Sequence, residues 1–377
     1  VSLRADRVAT SVLFFANGFA FGGWSAAIAP MREALALSEA ELGLLLFTLA
    51  AGAVSFVPVA GLAGPWLGGT GRIASGAGFV FAAAFAVAAI APGAWTLAPV
   101  GLVIGASNGL MDVNMNAHAT EVERRWGSPI NSSFHAAFSV GGLAGAGVGA
   151  GVLALGFGWR GLLLTSAALA LAMIGAAARG LSAGEKPKRT GNPFGWPPAA
   201  VLALAAIAFL CFLVEGAMID WTGVFLVSLG VRAAAAPLGY AAFASTMIAG
   251  RLAGDRVVTR LGRLPTVVAG AALAAAGLSL AAFLPGLTTA AVGFALVGAG
   301  LSNVVPALFS ESAAQGSTAA RGIAAVATAG YTGLLIGPPL VGAVASLTDL
   351  RVAFAGLAWL ALGAALLGVR ARRAPLT

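Results

Sequence analysis

Residues 108 to 135 read NGLMDVNMNAHATEVERRWGSPINSSFH and hold one aspartate, four asparagines and both histidines of the chain. A carboxyl group among amides and imidazoles is the material of proton transfer and of hydrogen bonding to a polar solute. Asn108, Asp112 and Asn116 recur every four residues, which puts them on one face of a helix, with Asn114 and His118 on another. Asn131, His135 and Ser139 repeat the spacing one segment later. This chemistry stands out because little of the chain resembles it.

The elements that must position these groups are apolar. Of 377 residues, 59% are hydrophobic and 9% charged, and the mean hydropathy is +0.95, far above that of a water-soluble domain. Stretches of about 20 apolar residues follow one another almost end to end, which makes this an all-α membrane protein. The spans are expected at 9–30, 41–60, 72–91, 95–118, 131–154, 159–178, 198–228, 235–255, 264–284, 288–310, 321–344 and 350–369, twelve in all. The first follows Arg4 and Arg7 without a small-residue cleavage site and reads as a retained span. Cys211 is the single cysteine, so neither an internal disulfide nor a cysteine metal cluster is expected.

The net charge of +8 is an orientation signal rather than a nucleic-acid footprint. With the N-terminus inside, seventeen Lys and Arg residues, Arg251 and Arg256 among them, fall on the inner side and four on the outer. That bias predicts cytoplasmic N- and C-termini in a multi-pass protein of the bacterial inner membrane.

The polar stretch from 179 to 197 reads as a cytoplasmic linker between an N-terminal six-helix bundle, 1–178, and a C-terminal one, 198–377. A shift of 191 residues lays Gly142, Gly151 and Arg160 on Gly333, Gly342 and Arg351, and Gly71-Arg72 on Gly262-Arg263. A common offset near half the chain points to two related halves. This plan resembles the major facilitator superfamily, whose fold is two pseudo-symmetric six-helix bundles with a solute site near the midplane between them. GRLAGDRVVTRLGR, residues 250 to 263, resembles that superfamily's cytoplasmic loop motif. The resemblance implies a conformational latch of Gly250, Asp255, Arg256, Gly262 and Arg263. The first-half counterpart, GLAGPWLGGTGR, lacks the Asp-Arg pair, so a latch there is built differently.

Asp112 is the centre of the puzzle. An ionised carboxylate at mid-bilayer costs at least about 2.5 to 3.5 kcal/mol on insertion scales, and no Lys or Arg is expected deep enough in a span to neutralise it. It is therefore protonated, wet or held by neighbouring amides, and two readings stand: a group that gains and loses a proton during transport, or a polar cross-link between helices. The same pair of readings applies to Asn114, Asn131, Ser139 and His135, while His118 is expected at a solvated helix end.

NGLMDVNMNAH further resembles the fourth helix of fucose-permease-like proton symporters within that superfamily, where an acid followed four residues later by asparagine serves proton-coupled sugar binding. By that resemblance Asp112 takes the acid's role and Asn116 the asparagine's. GLSNVVPALFS, 300 to 310, resembles the family's tenth helix, with Asn303 in a cavity position pseudo-symmetric to Asp112. FFANGFAFGGWSAAIAP, with Asn17, resembles its first helix, but Trp24-Ser25 stands where the family has Asn-Asp. Glu215, near the middle of the seventh span in FLVEGAMIDWTGVFL, is the candidate replacement acid.

The expected site thus comprises Asp112 and Glu215 as proton-coupling groups, and Asn17, Phe21, Trp24, Asn108, Asn116, His135, Ser139, Trp221, Asn303, Tyr331 and Thr332 as the solute-binding set. The function read from this is a secondary active transporter, a proton-coupled symporter of a small hydrophilic solute such as a sugar or sugar derivative. The alternative is a proton-coupled antiporter exporting drugs or metabolites. An enzyme is not expected: no HExxH, nucleophile elbow or phosphate loop is present. A non-transporting receptor stays open on sequence grounds. The partners expected are the solute, protons and the lipid bilayer, with a monomeric chain, no cofactor, no metal and no nucleic acid.

Overall fold

The computed structural model describes residues 1–36, 45, 47–56, 68–185, 197–231, 237–284, 286–316 and 318–373, and no strand occurs among them. The expected second span at 41–60, the stretch 61–72 and the linker at 179–197 lie partly outside the described residues. In chain order the helices are α1 (Leu3–Ala34), α2 (Phe47–Phe56), α3 (Thr70–Ile90), α4 (Ala94–Trp126), α5 (Asn131–Ala154), α6 (Gly158–Gly180), α7 (Ala199–Ser228), α8 (Pro237–Leu261), α9 (Arg263–Phe283), α10 (Leu287–Leu301), α11 (Val304–Gln315), α12 (Ala319–Leu347) and α13 (Leu350–Arg373). Ten described stretches are long and apolar enough to cross a bilayer, with α10 and α11 forming one of them, Leu287–Gln315. Helix α2 and helix α8, whose apolarity is lowered by Arg251, Asp255, Arg256 and Arg260, complete the twelve.

Contacts divide the chain into two compact units, Val1–Gly195 and Trp196–Thr377. Within the first, α1 packs on α5 and α6, and α3 on α4 and α6; within the second, α7 packs on α12 and α13, and α9 on α10 and α13. These are the same pairings once the chain is shifted by half its length. Lipid is as apolar as leucine, so helices in a bilayer are held by close packing rather than by expulsion of water. Glycine supplies that closeness. A Cβ at Gly18 or Gly22 of α1 would run into the backbone of Phe138 or Gly142 on α5, and a Cβ at Gly141 or Gly145 of α5 into Phe15 O or Phe19 O on α1. In the second unit, Gly333 and Gly337 of α12 abut Phe209 O and Leu213 O of α7 in the same way. The shift of 191 carries positions 18 and 142 to 209 and 333, and 22 and 146 to 213 and 337, so the two seams share one register.

Several expectations are corrected here. Helix α4 does not end near 118 but runs on to Trp126, because the acids that look like loop charges act as helix-end partners. Glu123 Oε2 accepts the otherwise orphaned N–H groups of Ile130 and Asn131 at 3.0 and 2.9 Å, capping the start of α5. Arg124 and Arg125 sit in the last turn, where a helix favours cations, and Gly127 closes it at φ 80°. His118 is not a solvated helix-end group: it is fully buried, with Nε2 2.8 Å from Asp6 Oδ1. The loop motif at 250 to 263 is helical as far as Leu261; the turn is Gly262 alone, at φ 86°, where a side chain would strain the backbone. The expected continuous tenth span is broken at Ser302 and Asn303.

The seam gives a stability test. Gly145→Ala is expected to lower the thermal midpoint of the purified protein in detergent, at an overpacking cost of about 1 to 3 kcal/mol. Gly147→Ala, on the same helix with nothing within 4 Å of the new methyl, is expected to leave it unchanged. Equal melting of the two variants would show that the seam does not hold the bundle.

Candidate functional site

In the first unit, the polar face of α4 meets α5. Asn116 Nδ2 donates to the Asp112 backbone carbonyl at 2.9 Å and to Asp112 Oδ1 at 3.1 Å, as the i, i+4 spacing allows. Asn116 Oδ1 then lies 3.1 Å from His135 Nε2 on α5. An amide oxygen only accepts, so His135 Nε2 carries the hydrogen and donates. The result is a directed chain, His135 to Asn116 to Asp112, in which Asp112 is half-buried and the other two are buried. Ser139 Oγ donates to His135 O at 3.1 Å one turn on, and the imidazole meets the Phe14 ring of α1 edge-on at 5.3 Å.

In the second unit, Glu215 of α7 faces a cation that the sequence reading assigned to the inner membrane edge. Arg251 Nη2 lies 3.6 Å from Glu215 Oε1, with both side chains largely buried. Arg251 therefore sits within the helix bundle of the second unit rather than in a loop, as a counter-charge to Glu215. The span expected at 235 to 255 already contained Arg251; counting charges per side hid it. Arg251 Nε also donates to Ser302 O at 3.3 Å. The local cause is Pro306: lacking an N–H, it cannot bond the carbonyl four residues earlier, which leaves Ser302 O available and the helix broken. Asn303 Nδ2 bridges that break, donating to Gly250 O and to Ser302 Oγ, each at 3.0 Å. Gly250 is small because Ser302 packs against it.

The remaining expected residues are placed as follows. Asn17 is buried on α1 and its Nδ2 lies 3.8 Å from Met115 Sδ. Phe21 packs against Phe81 and Phe138, and Trp24 is stacked on Phe85 at 5.7 Å in the apolar core. Trp221 Nε1 donates to Pro338 O at 3.1 Å and its ring lies over Gly342. Tyr331 meets Phe212 at 6.2 Å, and Thr332 Oγ1 bonds Thr328 O within its own helix. Of the latch set, Arg263 Nη1 reaches Glu311 Oε2 at 4.0 Å, Asp255 is half-buried on α8 and Arg256 is exposed. Asn17, Asn108, Asn114 and Asn303 each keep a buried Oδ1 with no hydrogen-bond partner among the described residues, although such acceptors are normally satisfied. Among the described residues no cluster of three or more His, Cys, Asp or Glu side chains is arranged to hold a metal.

The sequence reading missed Asp6 altogether. It lies in the first turn of α1, fully buried, and its carboxylate takes His118, Arg125 and Ser182. Its signal was a lone acid beside two arginines at the start of an apolar span.

Residues 10–314 match the family model of the Major Facilitator Superfamily. An uncharacterised MFS-type transporter of Yersinia pestis is 36% identical over 95% of this chain and 94% of its own length. The membrane protein MosC of Rhizobium meliloti is 31% identical over 91% of this chain and 84% of its own. Among solved structures, the superfamily transporter FucP in its outward conformation superposes with a TM-score of 0.79 at 17% identity, covering 97% of this chain and 98% of that one. The human organic anion transporter MFSD10 does so at 0.76, also at 17% identity, over 98% and 100%. Apolar helices, paired halves and relatives along almost the whole length agree on a multi-pass membrane transporter with twelve helices in two bundles, and the chain belongs to the Major Facilitator Superfamily.

Proposed function

We propose that this chain is a proton-coupled symporter that carries a small hydrophilic solute, a sugar or sugar derivative, into the cell across the bacterial inner membrane, as a monomer with both termini in the cytoplasm. The observation that carries the reading is the hydrogen-bond chain from His135 through Asn116 to Asp112. An ionised Asp112 draws the Asn116 amide, and the oriented amide draws the His135 N–H from the neighbouring helix. A proton arriving at Asp112 cancels the charge that orders this chain, which couples protonation to the contact between α4 and α5. In the first unit, the buried carbonyls of Asn17 and Asn108, which meet no donor among the described residues, are suited to accept hydroxyl hydrogens of a solute. Glu215 is the second proton-coupling candidate, with Arg251 as its counter-charge. The fold likeness to the E. coli fucose:proton symporter FucP supports the sugar reading, and the excess of Lys and Arg on one side supports the orientation.

Solid-supported membrane recordings on proteoliposomes offer the test, with neutral sugars, sugar acids and cationic drugs as the panel. Wild type is expected to give an inward positive current for a neutral sugar; Asp112→Asn is expected to lose it while retaining sugar exchange. A current confined to a drug, with pH-driven counterflow, would replace symport by export. The ion pair has its own test. Arg251→Met alone is expected to destabilise the folded protein by about 3 to 5 kcal/mol, because it strands a buried carboxylate, while Glu215→Met with Arg251→Met recovers most of the loss. Additive melting shifts in the double variant would mean that the pair does not interact.

A further inference from the structure

At the end of the first unit where α1, α3 and α5 begin and α4 and α6 end, five residues after α6, 181–185, are tied down by buried charge. Asp6 accepts from Ser182 N at 3.0 Å, Ser182 Oγ at 2.7 Å, Arg125 Nη1 at 2.8 Å and His118 Nε2 at 2.8 Å. Glu121 Oε2 accepts from Glu185 N at 2.8 Å. The backbone of the segment pairs with the first turn of α3, Gly71 N on Ala183 O and Thr70 N on Glu185 O. Gly69 and Gly71 leave the room: a Cβ at either would strike Ala183 O or Ser182 O. The asparagine-free stretch GLAGPWLGGTGR, which lacks the Asp-Arg latch of its second-half counterpart, ends in this contact.

The centre of the clasp needs a proton that no other group supplies. Asp6, with four donors on two oxygens, is an acceptor only, so His118 Nε2 carries a hydrogen. On the other side, His118 Nδ1 lies 3.2 Å from Thr70 Oγ1, and Thr70 Oγ1 lies 2.9 Å from Glu121 Oε1. One hydroxyl hydrogen cannot serve both contacts. Either His118 Nδ1 is protonated and Thr70 donates to Glu121, or Glu121 is protonated, donates to Thr70, and Thr70 donates to His118. Both arrangements hold one proton beyond those of a neutral imidazole and an ionised carboxylate. The other charged groups at this end are engaged elsewhere or face outward: Arg125 on Asp6, Arg124 on Glu185, Glu123 on the α5 N-terminus, Arg7 over the Trp126 ring, and Arg72 exposed on α3.

We propose that a buried proton shared along His118, Thr70 and Glu121 closes a clasp that fastens residues 181–185, the start of the stretch joining the two units, to the first unit, and that removing this proton releases the segment. Losing it leaves imidazole nitrogen and carboxylate facing a single hydroxyl hydrogen, so one contact must break in a buried, low-dielectric place. The sign follows: the stabilisation is present while the proton is bound and is lost as pH rises through its release. The clasp is a pH-sensitive device separate from Asp112, and it senses the compartment at the linker's end of the bundle.

Hydrogen–deuterium exchange of the full-length protein in detergent tests this without a solute. In wild type, the protection factors of the Ser182 and Glu185 amides are expected to fall by at least about tenfold as pH is raised, the effect of losing one charge-assisted hydrogen bond. Glu121→Gln places a permanent amide donor against Thr70 Oγ1 while its oxygen still accepts from Glu185, so protection there is expected to become independent of pH. Thr70→Val is expected to lower it at every pH. Constant wild-type protection across the range, or a Glu121→Gln protein that is folded and as pH-sensitive as wild type, would overturn the proposal. Should either variant not fold, the wild-type profile decides alone.

Discussion

Close approach of backbones along two glycine seams is what the rest of the structure rests on. In water a bundle forms because apolar faces leave solvent; in lipid that gain is absent between helices, and contact depends on surfaces fitting at short range. Gly18, Gly22, Gly141 and Gly145 remove the side chains that would hold α1 and α5 apart, and Gly333 and Gly337 do the same for α12 against α7. A seam fitted at backbone distance has one register. That register carries His135 to the edge of the Phe14 ring and within reach of Asn116. The polar chain on α4 and α5 is thus positioned by residues with no polar chemistry of their own.

The two units share their helix pairings yet solve the problem of buried polarity differently. In the first, the His135 imidazole donates to the Asn116 amide, and that amide donates to the Asp112 carboxylate. At the position the half-chain shift assigns to Asp112, the second unit has Asn303, and its acid lies on α7 instead, as Glu215 facing Arg251. An arginine is tolerated inside a membrane helix when charge and hydrogen bonds are both answered. Glu215 answers the charge, and the carbonyl exposed by Pro306 takes the Nε hydrogen. The break between α10 and α11 and the buried arginine are therefore one construction, since each leaves the other with an unsatisfied polar group if removed.

What could be read from the sequence was what is local in the chain. Span lengths and glycine spacing are properties of neighbouring residues, and together with the internal repeat at an offset of 191 they yield twelve spans in two related halves. The link from Asp112 to Asn116 was legible for the same reason, being one helical turn. The partners of Arg251 and His118 were not: Glu215 is 36 residues from Arg251, and Asp6 is 112 from His118, so each charge read alone looked like a side-of-membrane marker or a solvated end. Glu121 and Glu123 misled in the same way, because a carboxylate that caps a helix or clasps a segment has the composition of a loop residue. The stacking of Trp24 on Phe85 was not legible either, because an aromatic on an apolar helix carries no sign of which neighbour it meets; Phe85 is 61 residues away.

Helix α4 is where these constructions meet. Through Asn116 it is bonded to His135 of α5, and through His118, two residues on and turned to another face, it is bonded to Asp6 of α1 and Thr70 of α3. A shift of α4 along α5 must break the first contact, and a shift against α1 or α3 must break the second. Both contacts are buried and both end on a carboxylate, so each break uncovers charge where water does not compensate it. The position of α4 is accordingly tied to polar contacts at two depths, Asp112 near the middle of the helix and the Asp6, His118 and Glu121 cluster near its end. Under the proposed proton coupling, a helix held in this way would move when its protons do, with the glycine seam between α1 and α5 as the fixed frame for that movement.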